Sequence, residues 1–445
     1  MSRPFAGMRE AMTGKAARFV RSENGAGTAM GLFTLVTFCA VGGIAADVTR
    51  VYNKRIELQN AADMAAHAAI FNRQSMEPDL AIAKAIEIVH HSLPPEHEGR
   101  LITPEVVIFG TMDNGTFVPD PQSRDAVMVQ TARAAERGNP IAAHLTGWIG
   151  IDDWSVRSNS VFEFYEPGCL NEGFFADNYV DISTNNSFYN GFCVHSNTYV
   201  DLQTDNFFEE GTVVSMPDRN DIALPADGFA SNDGLKEALR DAYYEPKLVA
   251  QLPEIIASMD DIGSDHMPDY ITSGTIIELS GNQIFPQDFV PGAIHRIMCS
   301  PGQSVQLKDK DGDWLIHDVV INVPCKIKFG EALRLENVVI ASTSTDSQAF
   351  VGPEAVVVGR NDNCAEGGGA QLLTLGSMKF ASNLQAYGGQ FVAAGSIQFS
   401  SHPNGLEGVS MVAGDYIQGS SDMNMGLCNG GMEDNFSLPY YRMAG

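Results

Sequence analysis

The chain has 445 residues, 44% hydrophobic and 19% charged, a composition that excludes a fully disordered protein and leaves room for two or three domains. A net charge of −27 and a pI near 4.6 argue against nucleic acid or an anionic membrane surface as the partner. Forty-three glycines point to turn-rich β structure.

Residues 1–24 form a basic segment. Within residues 1–22, Arg3, Arg9, Lys15, Arg18 and Arg21 outnumber the single acid Glu10, which gives +4 and leaves −31 for the rest. Gly25–Ala46 then runs 22 positions without a charged side chain. As a helix that is about 33 Å, enough to cross a hydrocarbon core of about 30 Å. Gly27, Gly31, Gly42 and Gly43 are tolerated in such a span. The charge bias places the N-terminus in the cytoplasm and the acidic bulk outside. Arg50, Lys54 and Arg55 weaken that bias without reversing it. The length of the run and the helical pattern beyond it favour a retained anchor over a cleaved signal peptide. Past the span, Leu58, Ala62, Ala65 and Ala69 recur at helical spacing, widened by Ala61, Ala66 and Ala68. Such a small-residue seam suits either the chain's own downstream region or a partner helix.

These residues carry a resemblance. Arg21-Ser22-Glu23-Asn24-Gly25-Ala26, the apolar run, Asp47-Val48-Thr49-Arg50-Val51-Tyr52 and Leu58-Gln59-Asn60-Ala61-Ala62-Asp63-Met64-Ala65-Ala66 together resemble the start of TadE/TadG-like pilus-assembly proteins of bacterial tight-adherence (Flp) pilus systems. The likeness extends over roughly residues 16–165. It implies an inner-membrane protein with an N-terminal anchor, a periplasmic or exported remainder, and partners among pilus-assembly or pilin subunits reached through the anchor helix. Pilins cut by a prepilin peptidase carry a Glu five residues past a Gly. Here those places, counted from Gly25 and Gly27, hold Met30 and Leu32, which fits the TadG-like branch better than a true pilin.

Further along, Pro78–His91 reads as a second helix with Leu80, Ala83, Ile86 and Val89 on one face. Short strands follow at Glu105–Phe109 and Gly115–Val118, around a turn at Met112-Asp113-Asn114-Gly115. A third strand is expected at Ala126–Ala132, a short helix at Pro140–Trp148 and extended chain at Trp154–Phe164. Residues 47–165 are thus read as a TadG-like α+β region. Of seven cysteines, Cys39 lies in the span. Cys169, Cys193, Cys299, Cys325, Cys364 and Cys428 fall on the predicted exterior and allow up to three disulfides in 15 pairings.

The rest of the chain repeats. Asn178-Tyr179-Val180-Asp181-Ile182 returns as Thr198-Tyr199-Val200-Asp201-Leu202. Val319-Val320-Ile321 is followed by Val338-Val339-Ile340 and Val356-Val357-Val358. The segments ending in Gly376, Gly395 and Gly414 are spaced 19 apart, each followed by another short strand. Apolar strands at this period predict a mainly-β domain, a right-handed parallel β-solenoid with residues 166–225 and 263–432 as its coils. Residues 226–262 read as a helical insertion, with helices at Asp233–Tyr244 and Leu248–Met259, and 433–445 as a tail.

Candidate sites are few. Asp309-Lys310-Asp311-Gly312-Asp313 alternates carboxylates as a Ca²⁺ loop does, but a hairpin turn at Asp311-Gly312 accounts for it. Asp181-Ile182-Ser183-Thr184-Asn185 approaches a DxSxS metal motif and lacks its last Ser. His90, His91 and His97 cluster without fixed acids nearby, and Gly367-Gly368-Gly369 lacks the Lys of a phosphate loop. Asp181 and Asp201 stack one repeat apart. No catalytic, cofactor or metal residues are therefore assigned. The expected function is a membrane-anchored, non-enzymatic pilus-assembly component with a β-rich surface for a partner or a cell-surface polysaccharide. A membrane-tethered β-helical carbohydrate-active enzyme and a plain envelope spacer are the alternatives.

Overall fold

A computed structural model describes residues 25–444 except Asp313, Cys364 and Asn429, without the side chains of residues 25, 26, 148, 149 and 402–404. The basic segment 1–24 lies outside the described residues. The chain divides into two compact units, Met1–Tyr165 with Tyr440–Gly445, and Glu166–Pro439.

The first unit is organised on helix α1, Gly25–Arg73. No proline interrupts its 49 residues, and its glycines all lie in the apolar half, so one helix carries both the span and the seam. The two halves differ in exposure. Met30, Phe33 and Phe38 are 73%, 74% and 71% exposed, whereas Leu58, Ala61, Ala62, Ala65, Ala66 and Ala69 are buried. The seam packs on helix α2, Pro78–Ser92, through Ala81 and Ala85, and on the sheet through Val127 and Val129. Of the two readings of the seam, the structure shows packing within the chain: its small side chains let the chain's own α2 and sheet approach closely.

That sheet has strands β1 Val107–Asp113, β2 Thr116–Pro119, β3 Ala126–Arg133 and β4 Val156–Tyr165. The strand Tyr440–Met443 completes it, in the order β2-β1-β3-β4-C-terminal strand, antiparallel throughout. Asn114 and Gly115, at φ 48° and 76°, make the expected tight turn between β1 and β2. The predicted tail is therefore partly a strand, and Arg442 pairs there with Glu163 at 2.5 Å. Pro140–Trp148 is not the expected helix. Ile141–Ala142 pairs with Asp153–Trp154, and Thr146–Ile149 is a 3₁₀ turn. The physical reason is Asp47, whose carboxylate accepts from the amides of His144, Leu145 and Thr146 that a helix would use internally.

The second unit is mainly β, and its strand pairs are parallel. Partners lie 18 residues apart at Ile276 and Ile294 and 32 apart at Val338 and Ala370, while Ser410 and Gly173 pair from far-separated parts of the chain. Tyr179–Ile182 pairs in register with Tyr199–Leu202, and Val319-Val320-Ile321 with Val338-Val339-Ile340, as the repeats predict. The third apolar triplet does not extend that series. Val356–Val358 pairs with Leu333–Leu335, while Val338–Ile340 continues onto Ala370–Leu372. Identical residue types lie on different strand lines because each repeat carries more than one inward-facing strand.

The two repeat blocks join against chain order. Gly173–Ala176 pairs with Cys193–Ser196 on one side and with Ile397–Ala413 on the other. From there the chain steps away through Val213–Met216 to Leu239–Asp241. It resumes at Ser273–Ser280 and steps back, strand by strand, to Ile397–Ala413. The sheet does not close into a barrel.

The expected helix at Asp233–Tyr244 is a correction of the same origin. Asn232–Asp233 and Leu239–Asp241 are strands around a single helical turn, Leu235–Ala238. Gly234 at φ 77° and the pairing of Leu239 with Val214 override local helix preference. Helix α3, Lys247–Ser258, does form and buries Leu248, Leu252, Ile255 and Ile256. Cys169–Cys193 and Cys299–Cys325 are disulfides, and Cys428 is also disulfide-bonded. Cys364 lies outside the described residues, and Cys39 is free and exposed.

Candidate functional site: an open face of the parallel sheet

Parallel strands project alternate side chains outward, and in-register pairing turns each outward position into a row. Three rows on the second unit differ in what covers them. In the first, Leu373, Val392, Val412, Phe175 and His195 follow one another across the sheet, and all are buried. Helix α3 packs on the strands that carry Leu373, Val392 and Val412. His195 stacks on Phe175 at 5.3 Å and packs on Tyr244 at 4.6 Å. Its Nδ1 is 2.8 Å from Ser215 Oγ and its Nε2 is 2.9 Å from Asn197 Oδ1. Burial lowers its pKa to about 4, so the ring is neutral at pH 7 and acts as a packed polar group. In the second row Gln390 is buried. Its Nε2 donates to Phe436 O at 2.9 Å, and its Oε1 accepts from Phe436 N at 2.8 Å.

The third row is open to solvent. It runs in register from Gln283 through Lys328, Lys379, Gln398 and Gln418 to Asp181 and Asp201. Gln398 Nε2 donates to Gln418 Oε1 at 3.1 Å, and Gln418 Nε2 to Asp181 Oδ2 at 2.8 Å. Beside it Tyr416, Tyr179 and Tyr199 stack face to face, with centroids 4.9 and 5.3 Å apart. Both faces of Tyr179 and the inner faces of Tyr416 and Tyr199 are covered by one another. The row therefore offers ring edges, hydroxyls and amides, a surface suited to hydrogen-bonded recognition.

Asp181 and Asp201 are direct neighbours on this face, as the repeat predicts. Burial, and then the charge of Asp181, raises the pKa of Asp201. A raised carboxylate pKa opposes folding at neutral pH, and this penalty is relieved as pH falls through the folded-state value. Asp201→Asn is therefore expected to be neutral or stabilising by about 0.2–1 kcal/mol at pH 7, with the gain shrinking toward pH 4. Thermal melts of the two proteins across that range check it.

The other sequence candidates are scattered. Asp311 and Gly312, at φ 56° and 83°, do form a tight turn. It is not a hairpin, because the flanking strands Ser304–Leu307 and Leu315–Val323 each pair in parallel with others. Asp313 lies outside the described residues. Asn185, at the end of the near-DxSxS segment, has φ 61° and donates to Asp422 Oδ1 at 2.5 Å. His90 and His91 close α2, and His97 sits in the separate turn Pro95–Glu98. Gly367 and Gly368 occupy a loop with φ of 75° and 77°. Among the described residues no group of three or more His, Cys, Asp or Glu side chains is placed to hold a metal ion.

One polar device escaped sequence reading. Asn186, Asn206 and Asn232 are buried and stacked: Asn186 Nδ2 donates to Asn206 Oδ1 at 3.1 Å, and Asn206 Nδ2 to Asn232 Oδ1 at 3.0 Å. The backbone amide of Met423 donates to Asn186 Oδ1 at 3.0 Å. Its signal was available, since Asn186 and Asn206 follow the Tyr-Val-Asp repeats at the same 20-residue offset. In the first unit, Asp47 is a comparable anchor point just past the apolar run. Hydrogen bonds from the amides of Thr146 and Leu145 lower its pKa to about 2.

Among the described residues these features define a protein with an exposed apolar helix, long enough to cross a membrane, in its first unit, and a parallel β second unit with an open polar row. The chain belongs to a family defined by a domain of unknown function, DUF7867, whose model matches residues 173–429. Those bounds take in the parallel strands from Gly173 to Gly426. Residues 25–75 match the Flp pilus-assembly TadE/G-like family model, which covers α1 and so bears out the TadE/TadG-like resemblance. This match supports involvement in Flp pilus assembly and single-pass anchoring by α1. No curated protein and no solved structure matches the chain.

Proposed function

We propose that this protein is a TadG-like, membrane-anchored component of a tight-adherence pilus system, with a cytoplasmic N-terminus and its acidic bulk periplasmic or exported. The observation that carries the reading is the TadE/G-like match over residues 25–75. That segment contains both the exposed apolar run and the buried seam that ties it to the first unit. The basic residues before the span and the net charge of −30 after it (−27 minus the +3 of residues 1–46) support the orientation.

The second unit is read as a right-handed parallel β-solenoid. Its parallel pairings, the buried asparagine stack and the stacked Phe188–Phe208 pair at 4.7 Å support that reading. Its open face serves as a docking surface for pilus components. The role is binding rather than catalysis: the Asp181–Asp201 pair lies on an open face, with Asp181 accepting from Gln418 and Asp201 from Gln203.

The test is disruption of the coding sequence in cells that carry it, followed by counts of surface pili and of pilin sheared from the surface. Loss of pili, restored by the intact chain but not by one with residues 25–46 replaced by a cleavable signal, supports the proposal. Undiminished pili overturn it.

A further inference from the structure

A second outward row on the same sheet has a missing side chain. Tyr387, Glu407, Gly426 and Tyr189 occupy successive in-register positions on neighbouring strands. Strands are spaced about 4.8 Å apart, so Glu407 and Tyr189 stand about 9.5 Å apart with only a glycine between them. The result is a groove of about 450 Å³, within the range of ligand sites.

The glycine is not demanded by the fold. A Cβ at Gly426 would meet nothing closer than Asn190 Nδ2 at 3.5 Å, an ordinary contact, and its φ is not left-handed. Gly388 and Gly359 are different, since a Cβ there would meet backbone oxygens at 2.5 and 1.7 Å. A strand glycine that packing does not require costs conformational entropy and gains nothing but open space.

The groove wall combines Tyr189, the amides of Asn190 and Asn424, the carboxylate of Glu407 and the aliphatic Leu427. Among the described residues no lysine or arginine lines it. In the adjoining recess Arg360 is paired with Asp362 at 2.6 Å. Among the described residues that line the groove and the recess, an anionic ligand therefore finds no unpaired cation. Amides carry donors and acceptors together and match a ligand rich in hydroxyl groups, while the ring and Leu427 supply apolar contact. The groove lies on a sheet face whose strands are already paired on both sides, so an extended peptide cannot enter by adding a strand.

We propose that this groove binds a neutral oligosaccharide, with Gly426 providing room for a sugar ring between Glu407 and Tyr189. The inference rests on the second unit alone and stands or falls independently of the pilus role.

The experiment uses the full chain in lipid nanodiscs, titrated with maltotetraose, cellotetraose, mannotetraose and chitotetraose, and with an acidic hexuronate tetramer and an unstructured tetrapeptide as comparisons. The expected result is saturable binding of at least one neutral saccharide with Kd below about 10 mM. Gly426→Phe, which fills the gap, is expected to weaken it at least about tenfold. Glu407→Gln, which keeps the shape of the groove, is expected to weaken it about three- to tenfold and guards against misfolding of the first variant. Absence of neutral-saccharide binding, preference for the acidic tetramer or the peptide, or saccharide binding that both variants leave unchanged overturns the proposal.

Discussion

Phe174→Ala is expected to destabilise the second unit by about 3–5 kcal/mol, the range for removing a fully buried aromatic ring. The reason for choosing Phe174 is topological. Its ring packs on Phe192 at 5.0 Å and on Phe399 at 5.4 Å, so it joins residues from the first and last parts of the unit. Its backbone does the same, pairing with Val194 on one side and Met411 on the other. Because the blocks share this core, the unit is expected to unfold in one transition, with the variant's midpoint shifted and its denaturant slope unchanged. Were the blocks independent, two transitions would appear, or the loss would stay below about 1 kcal/mol. Tyr199→Ala, on the outward row, is the control and is expected to change stability by no more than about 1 kcal/mol.

The second large effect concerns the membrane. Leu35 and Val36 sit at the middle of the apolar run and are 60% and 58% exposed. Each arginine at a span centre costs about 2.5–3.5 kcal/mol on insertion scales. The double variant Leu35→Arg/Val36→Arg therefore opposes insertion by about 5–7 kcal/mol, enough to move the protein from the carbonate-resistant membrane pellet to the supernatant. Tyr52→Arg, beyond the span and 62% exposed, is expected to leave the distribution unchanged. Retention of the double variant in the pellet would show that the run is not what holds the protein to the membrane.

The contrast between the two halves of α1 shows where sequence reading works. The apolar run was legible because composition alone selects a membrane span, and the lipid-exposed side chains need no partner to be recognised. The alanine seam was legible as a contact surface but not as to its partner. Ala65 and Ala69 fit any closely approaching backbone, and only the position of α2 and the sheet decides that they pack within the unit. Pro140–Trp148 failed for a related reason: the competitor for its amides, Asp47, is nearly 100 residues away.

By itself the sequence determined the apolar run long enough to cross a membrane, the family resemblance of the first unit, the in-register stacking of the Tyr-Val-Asp repeats and the net acidic charge. Each is written in local pattern: a charge-free run, a motif, an identity at a constant offset. The tertiary structure alone decided that the second block runs back to meet the first at Gly173–Ala176, since Ser410–Ala413 and Gly173–Ala176 pair at a sequence distance far outside the repeat offset. It also decided which outward rows are covered and which are open. Leu373, Val392 and Val412 read as core strand residues either way, and that α3 packs on the strands that carry them is visible only in the structure. The open row and the gap at Gly426 are legible only once every neighbouring strand is in place, because a surface is defined by what fails to cover it.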